Sequence, residues 1–237
     1  MLKALRAVSG AYLKDGVYAA NDGIVTTFAV VAGVVGAGLS PFVILALGFA
    51  NLIADGFSMA TGNYLGSKSE GDQYDHERAK LEARLVGDAQ ASRRDAAQLL
   101  VARGYAGEEA DTLAALMARN KELFLDFVLF ETIEADPTTT GRAVKGAVVT
   151  FVAFTVAGVV PLVPYVLFGA SQTVQDVFVW TYILTGCMLF MVGAARTTFS
   201  DKSWWAGGLE MLLAGGVAAF ISYIIGFFIR FLVDTAV

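Results

Sequence analysis

The chain has 237 residues, of which 56% are apolar, 25 are glycine and 16% are charged, with a formal net charge of −5 and a mean hydropathy of +0.61. Such a composition excludes an ordinary water-soluble domain and predicts a membrane protein. One cysteine, Cys187, and one histidine, His76, exclude a disulfide framework, a thiolate cluster and a His-rich zinc site, and nothing in the charge pattern points to nucleic acid.

In chain order, residues 1–20 carry Lys3, Arg6 and Lys14 without an uninterrupted apolar core, so no removable signal peptide is read there. Leu2, Leu5, Val8 and Tyr12 make the N-terminus a short amphipathic helix leading into the first span. Between Asp22 and Asp55 lie 32 residues without a charge, broken by Ser40-Pro41, which is too long for one crossing. The stretch predicts a transmembrane hairpin with spans over 17–39 and 41–66. Gly33, Gly36 and Gly38 in the first and Gly62-x-x-x-Gly66 in the second are expected to let helix backbones approach closely.

The chain divides into 1–66, with the amphipathic segment and two spans; 67–142, a charged helical domain; and 143–237, with the remaining spans. Three helices are read in the middle part: from about Asp72 to Gly87; from Ser92, with Asp95 three residues on, to Gly104; and from Gly107, with a break near Asn120, to Glu134 before Asp136-Pro137. Apolar runs at Ala143–Val160, Val177–Ala195 and Glu210–Ile229 bring the spans to five, with Pro161 and Pro164 ending the first of these runs and Trp204-Trp205 at an interface. The expected fold is an all-α membrane protein of five transmembrane helices with a cytoplasmic three-helix domain between the second and third. Of 17 Lys and Arg, all but Arg230 fall on one side of that topology. By the positive-inside rule the N-terminus and the 67–142 domain are cytoplasmic and the C-terminus is outside.

Ionisable groups within a span cost several kcal/mol unless paired or hydrated, so Asp22, Asp55 and Glu210 require a reason. Asp22 and Met59 each stand about 18 residues from the bend, roughly 27 Å, with Asp55 one turn from Met59. Two carboxylates and a thioether at one depth suit a borderline divalent ion, and iron(II) fits better than magnesium or calcium. Simpler readings stand beside this one. Asp22 could cap a helix, Asp55 could bond Asn51 or Ser58, Met59 could be packing, and Glu210 could favour the positive end of its helix. Asp15, seven residues before Asp22, would line the same face. In the middle domain Glu77, Glu82, Glu131 and Glu134 are metal-ligand candidates against the alternative of a solvated charged face, with Arg78–Glu82 a well-spaced ion pair.

DGIVTTFAVVAGVVGAG, ADGFSMATGNYLGSKSE and LEMLLAGGVAAFISYIIG, together with DPTTTGRA before the third span, resemble the vacuolar iron transporter family, with its yeast and plant nodulin-like relatives. The resemblance covers nearly the whole chain. It implies a homodimer of five-span subunits that moves iron(II), often with manganese, out of the cytosol in exchange for protons. It places the transport-path acid on Asp22 and the second-span methionine on Met59, and matches Asp15 and Glu131 to acidic positions. The chain departs from the pattern at Asn51, where a carboxylate is expected. It also has Arg93-Arg94 where acids stand, and Val128-Leu129 where a methionine stands, which weakens the metal-collecting role of the middle domain.

The function expected is therefore a proton-coupled antiporter exporting divalent iron or manganese, with no resident cofactor. Metal contacts are expected at Asp15, Asp22, Asn51, Asp55, Met59, Glu77, Glu82, Glu131 and Glu134, and proton coupling at Asp22, Asp55 and Glu210. The alternatives are a non-transporting metal-binding sensor or scaffold, and a carrier of another small cation. No nucleophile–base pair, phosphate loop or redox motif suggests an enzyme. Ala, Gly, Val and Arg usage leans towards a bacterial plasma membrane.

Overall fold

The computed structural model describes residues 2–133, 141–197 and 203–236, with side chains described from residue 12 to residue 235 within those ranges. Glu134 and the Ser200-Asp201-Lys202 connection lie outside them. All regular elements in the described residues are helical: α1 (Leu2–Gly36), α2 (Pro41–Gly87), α3 (Ala89–Ala102), α4 (Gly107–Met117), α5 (Lys121–Ile133), α6 (Ala143–Gly158), a 3-10 turn at Val160–Leu162, α7 (Val163–Phe168), α8 (Val174–Arg196) and α9 (Trp204–Ala236). Five stretches are long and apolar enough to cross a membrane, within Tyr12–Gly36, Pro41–Gly87, Ala143–Phe168, Val174–Arg196 and Trp204–Thr235. The chain forms two compact units, one of residues 1–63 with 145–237 and one of residues 64–144.

The hairpin forms because its bend is chemically marked. Gly38 takes φ +70°, and the Gly38 and Leu39 amides donate to the Val35 and Val34 carbonyls, closing α1 in a Schellman turn that a β-carbon would strain. Ser40 then offers its carbonyl to the Val43 and Ile44 amides, and Pro41, which has no amide hydrogen to satisfy, opens α2.

In the first unit α1 is the central helix. Its span is 56% buried against 17% for α9, and Ala19, Val31, Val34 and Val35 join Ile44, Leu52, Phe154, Leu162, Tyr165 and Val177 in one apolar core. Small residues set the approach of its neighbours. A β-carbon on Gly36 would strike the Tyr223 carbonyl, one on Gly226 the Gly33 carbonyl, and one on Gly23 the Phe154 carbonyl, so α9 and α6 both lie backbone to backbone on α1. Gly62 and Gly66 differ from the sequence expectation: nothing lies within 4 Å of a β-carbon at either, and they pack no helix of this chain.

Three further expectations need correction. The charged helix expected from Asp72 is the continuation of α2, which runs unbroken for 47 residues because SKSEGDQYDH changes polarity without introducing proline. The second starts at Ala89 rather than Ser92, since the Asp88 carboxylate accepts the Ala91 amide hydrogen at 2.8 Å and caps it earlier. Pro161 and Pro164 redirect the third span through a 3-10 turn into α7 instead of ending it, so that span extends to Phe168.

The second unit buries Ala96, Ala97, Leu100, Ala110, Ala114, Phe124 and Val128, with Leu81 and Leu85 of α2 against them. The break near Asn120 is present: its amide oxygen accepts the Leu123 amide hydrogen at 3.3 Å and starts α5. Replacing Gly36 or Gly226 by valine is expected to cost about 1–3 kcal/mol through overpacking, read as a lowered melting temperature in detergent. Gly216→Ala, in open space on α9, is expected to leave it unchanged or slightly raised. Equal effects at all three positions would contradict the backbone-contact account.

Candidate functional site

Asp22 lies inside α1, which continues past it in both directions, so it is not an N-cap; the Thr26 hydroxyl donates to its backbone carbonyl at 2.8 Å. Its carboxylate is half-buried and close enough to Asp55 on α2 for the two charges to interact. On α2 the residues Asn51, Asp55, Met59 and Asn63 follow one another at intervals of four, which puts them on one stripe of the helix. Asn51 Nδ2 donates to Asp55 Oδ2 at 2.7 Å, so the amide that stands where a carboxylate was expected acts as a donor to the neighbouring acid.

The helix ends set the register between the two stripes. Asp22 stands 14 residues before Gly36 and Asp55 14 residues after Pro41, so these two acids are level when depth is counted from the ends of the helices. Counting from Ser40-Pro41 instead includes the turn residues in α1 and pairs Asp22 with Met59, one turn further on.

Met59 packs against the apolar core and also lines a cavity of about 340 Å³ with Asp15, Tyr18, Gly62, Asn63 and Thr150. Asp15 and Met59 are thus brought to one place, and Asp22 and Asp55 to an adjacent one. Sequence reasoning missed Asn63 and Thr150. Each is a lone polar residue in a glycine-rich or apolar run, GNYLG and VVTFV, and the only signal was the spacing of Asn63 from Met59.

Glu210 is in the second turn of α9, not at its start, and accepts from Arg196 Nη2 of α8 at 2.8 Å. In the second unit the candidate acids meet cations. Glu77 accepts from Lys80 at 2.7 Å, a bond that holds its carboxyl below the ordinary glutamate range. Glu82 lies 3.4 Å from Arg78 and 3.2 Å from Lys121, and Glu131 2.9 Å from Arg103. Arg78 also reaches Glu122 and Asp126, so this face is a network of ion pairs in which each acid is partnered by a base. Among the described residues no three His, Cys, Asp or Glu side chains gather as a metal-binding group. Any cation site in them is therefore built with neutral donors or with carboxylates from few positions.

A mid-helix carboxylate pair, a thioether and neutral oxygens in apolar helices can hold and release a divalent cation; they offer no nucleophile and no phosphate cradle. The chain is similar over 217 residues, at 26% identity, to vacuolar iron transporter 1 of Eucalyptus grandis, covering 92% of this chain and 86% of that protein. It is 28% identical over 214 residues to the vacuolar iron transporter of Centaurea cyanus, covering 89% and 85% of the two chains. Over 235 residues it is 29% identical to protein CCC1 of Saccharomyces cerevisiae, covering 96% of this chain and 71% of the yeast protein. The profile of the VIT family matches residues 13–227, which takes in the hairpin, the second unit and all five apolar spans; this integral membrane protein belongs to the VIT family.

Proposed function

We propose that this protein exports divalent iron, with manganese as a second substrate, from the cytosol in exchange for protons. The observation that carries the reading is the opposition of Asp22 and Asp55 within apolar helices. Two carboxylates in such surroundings repel each other, and either a divalent cation or a proton relieves the repulsion. Metal and proton then compete for the same oxygens, which couples their movements. Relatives named vacuolar iron transporters support iron as the cargo. Met59, one turn from Asp55, supplies a soft donor that suits iron(II) more than a purely oxygen-seeking ion.

The proposed topology has the N-terminus and residues 67–142 in the cytoplasm and the C-terminus outside, on the strength of the one-sided Lys and Arg distribution. The membrane is proposed to be a bacterial plasma membrane. The working form is proposed to be a homodimer. Gly62 and Gly66 leave α2 bare on a face where Ile53 and Phe57 are 51% and 68% exposed, and small residues of this kind favour close approach of another helix. Glu77, Glu82, Glu131 and Glu134 are retained as proposed metal contacts of the cytoplasmic segment, and Glu210 as a proposed proton-coupling group.

A second reading, a metal-binding sensor or scaffold that does not transport, draws on the ion pairs that occupy Glu77, Glu82 and Glu131. The two are separated in proteoliposomes with an imposed pH gradient. Gradient-dependent iron(II) uptake by the unmodified protein that falls to background in Asp22→Asn is the expected result. Uptake unchanged in that variant would remove Asp22 from the pathway, and metal binding without any flux would favour the sensor. The same assay tests the thioether: Met59→Ala is expected to lower iron(II) flux several-fold more than manganese(II) flux, and an equal loss of both would argue against sulfur as a ligand.

A further inference from the structure

Thr150 is 1% exposed, in the middle of α6, and its hydroxyl has no hydrogen-bond partner. Asn63 Oδ1 is likewise buried without a partner. Both residues line the cavity that Asp15 and Met59 also line, and no Lys, Arg or His is among its walls. Gly146 of α6 keeps the space open. A β-carbon there would lie 2.8 Å from Asn63 Oδ1 and 3.4 Å from Asp15 Oδ2, so both oxygens border the same patch of bare backbone.

Buried oxygens without partners are costly, and a cavity that gathers a carboxylate, an amide oxygen, a hydroxyl and a thioether presents lone pairs from every side. Water satisfies oxygens but gains little from sulfur, whereas a first-row divalent ion accepts from all four. The cavity is also placed one turn along the stripe from the Asp22–Asp55 pair, on the side towards the N-terminus of α1. We infer that Asn63 and Thr150 complete, with Asp15 and Met59, a second binding site for the divalent cation, in which α6 supplies a ligand to a pathway otherwise built on the hairpin. This rests on the export reading, which supplies the cation. It goes beyond that reading in assigning the two neutral ligands and the part played by α6.

The test is iron(II) and manganese(II) titration of the purified full-length protein in detergent, following the binding component that Met59→Ala removes. Thr150→Val and Asn63→Leu keep the volume and delete the oxygen, and each is expected to weaken that component about tenfold or more. Thr150→Ser should restore it. Asn63→Asp should tighten manganese(II) binding several-fold, because it adds charge where an ion is held, an effect that a purely structural asparagine would not produce. Binding unchanged in both Thr150→Val and Asn63→Leu would overturn the inference and identify the cavity as a water pocket only. Absence of flux from the unmodified protein, with this binding pattern intact, would sink the export reading while leaving the site in place.

Discussion

A carboxylate placed within an apolar helix must find a partner, and the arrangement of the first unit follows from where two of them are put. Asp22 and Asp55 sit at equal distances from the ends of α1 and α2, and the hairpin bend fixes that equality. Asn51 directs an amide hydrogen at Asp55, which leaves the space between the two helices polar on one stripe and apolar on the other. Neither acid is excused by a helix end or by a nearby base among its described contacts. A cation that comes and goes is the simplest partner for such a pair.

That stripe is useful only if the helices around it hold their register, and glycine provides the means. Contacts of Gly23 with the Phe154 carbonyl, of Gly36 with the Tyr223 carbonyl and of Gly226 with the Gly33 carbonyl bring three helices together through backbone atoms, where a side-chain rotamer change cannot alter the fit. Gly146 uses the same absence of a side chain differently. It keeps room beside Asp15 and Asn63 rather than admitting a helix.

Much of this was legible in the sequence because membrane helices obey length and charge rules that read locally. The 32 uncharged residues and Ser40-Pro41 announced the hairpin, and the later apolar runs announced the other spans. Element boundaries were less legible. A change from apolar to charged composition at Ser67 resembles a domain junction, yet helical hydrogen bonding is indifferent to it, and α2 continues to Gly87. Pro161 and Pro164 read as terminators, but a 3-10 turn absorbs them because Leu162 and Tyr165 are buried and hold the chain in line. Asn63 and Thr150 were invisible for another reason: a neutral polar residue in a span has many uses, and only the convergence of two helices on one cavity distinguishes these two. In the second unit the acids were legible as acids, whereas their ion pairs with Lys80, Lys121 and Arg103 depend on how the helices pack.

The central claim is that the hairpin stripe holds the transported ion. Anomalous diffraction at the manganese or iron edge, from crystals of the full-length protein grown with that ion at the lowest concentration supporting uptake, locates it directly. The account predicts density on the stripe, against Asp22 and Asp55 or in the cavity of Asp15, Met59, Asn63 and Thr150. Density confined to the acids of residues 64–144, with none along α1 and α2 between Asp15 and Asp55, would contradict it.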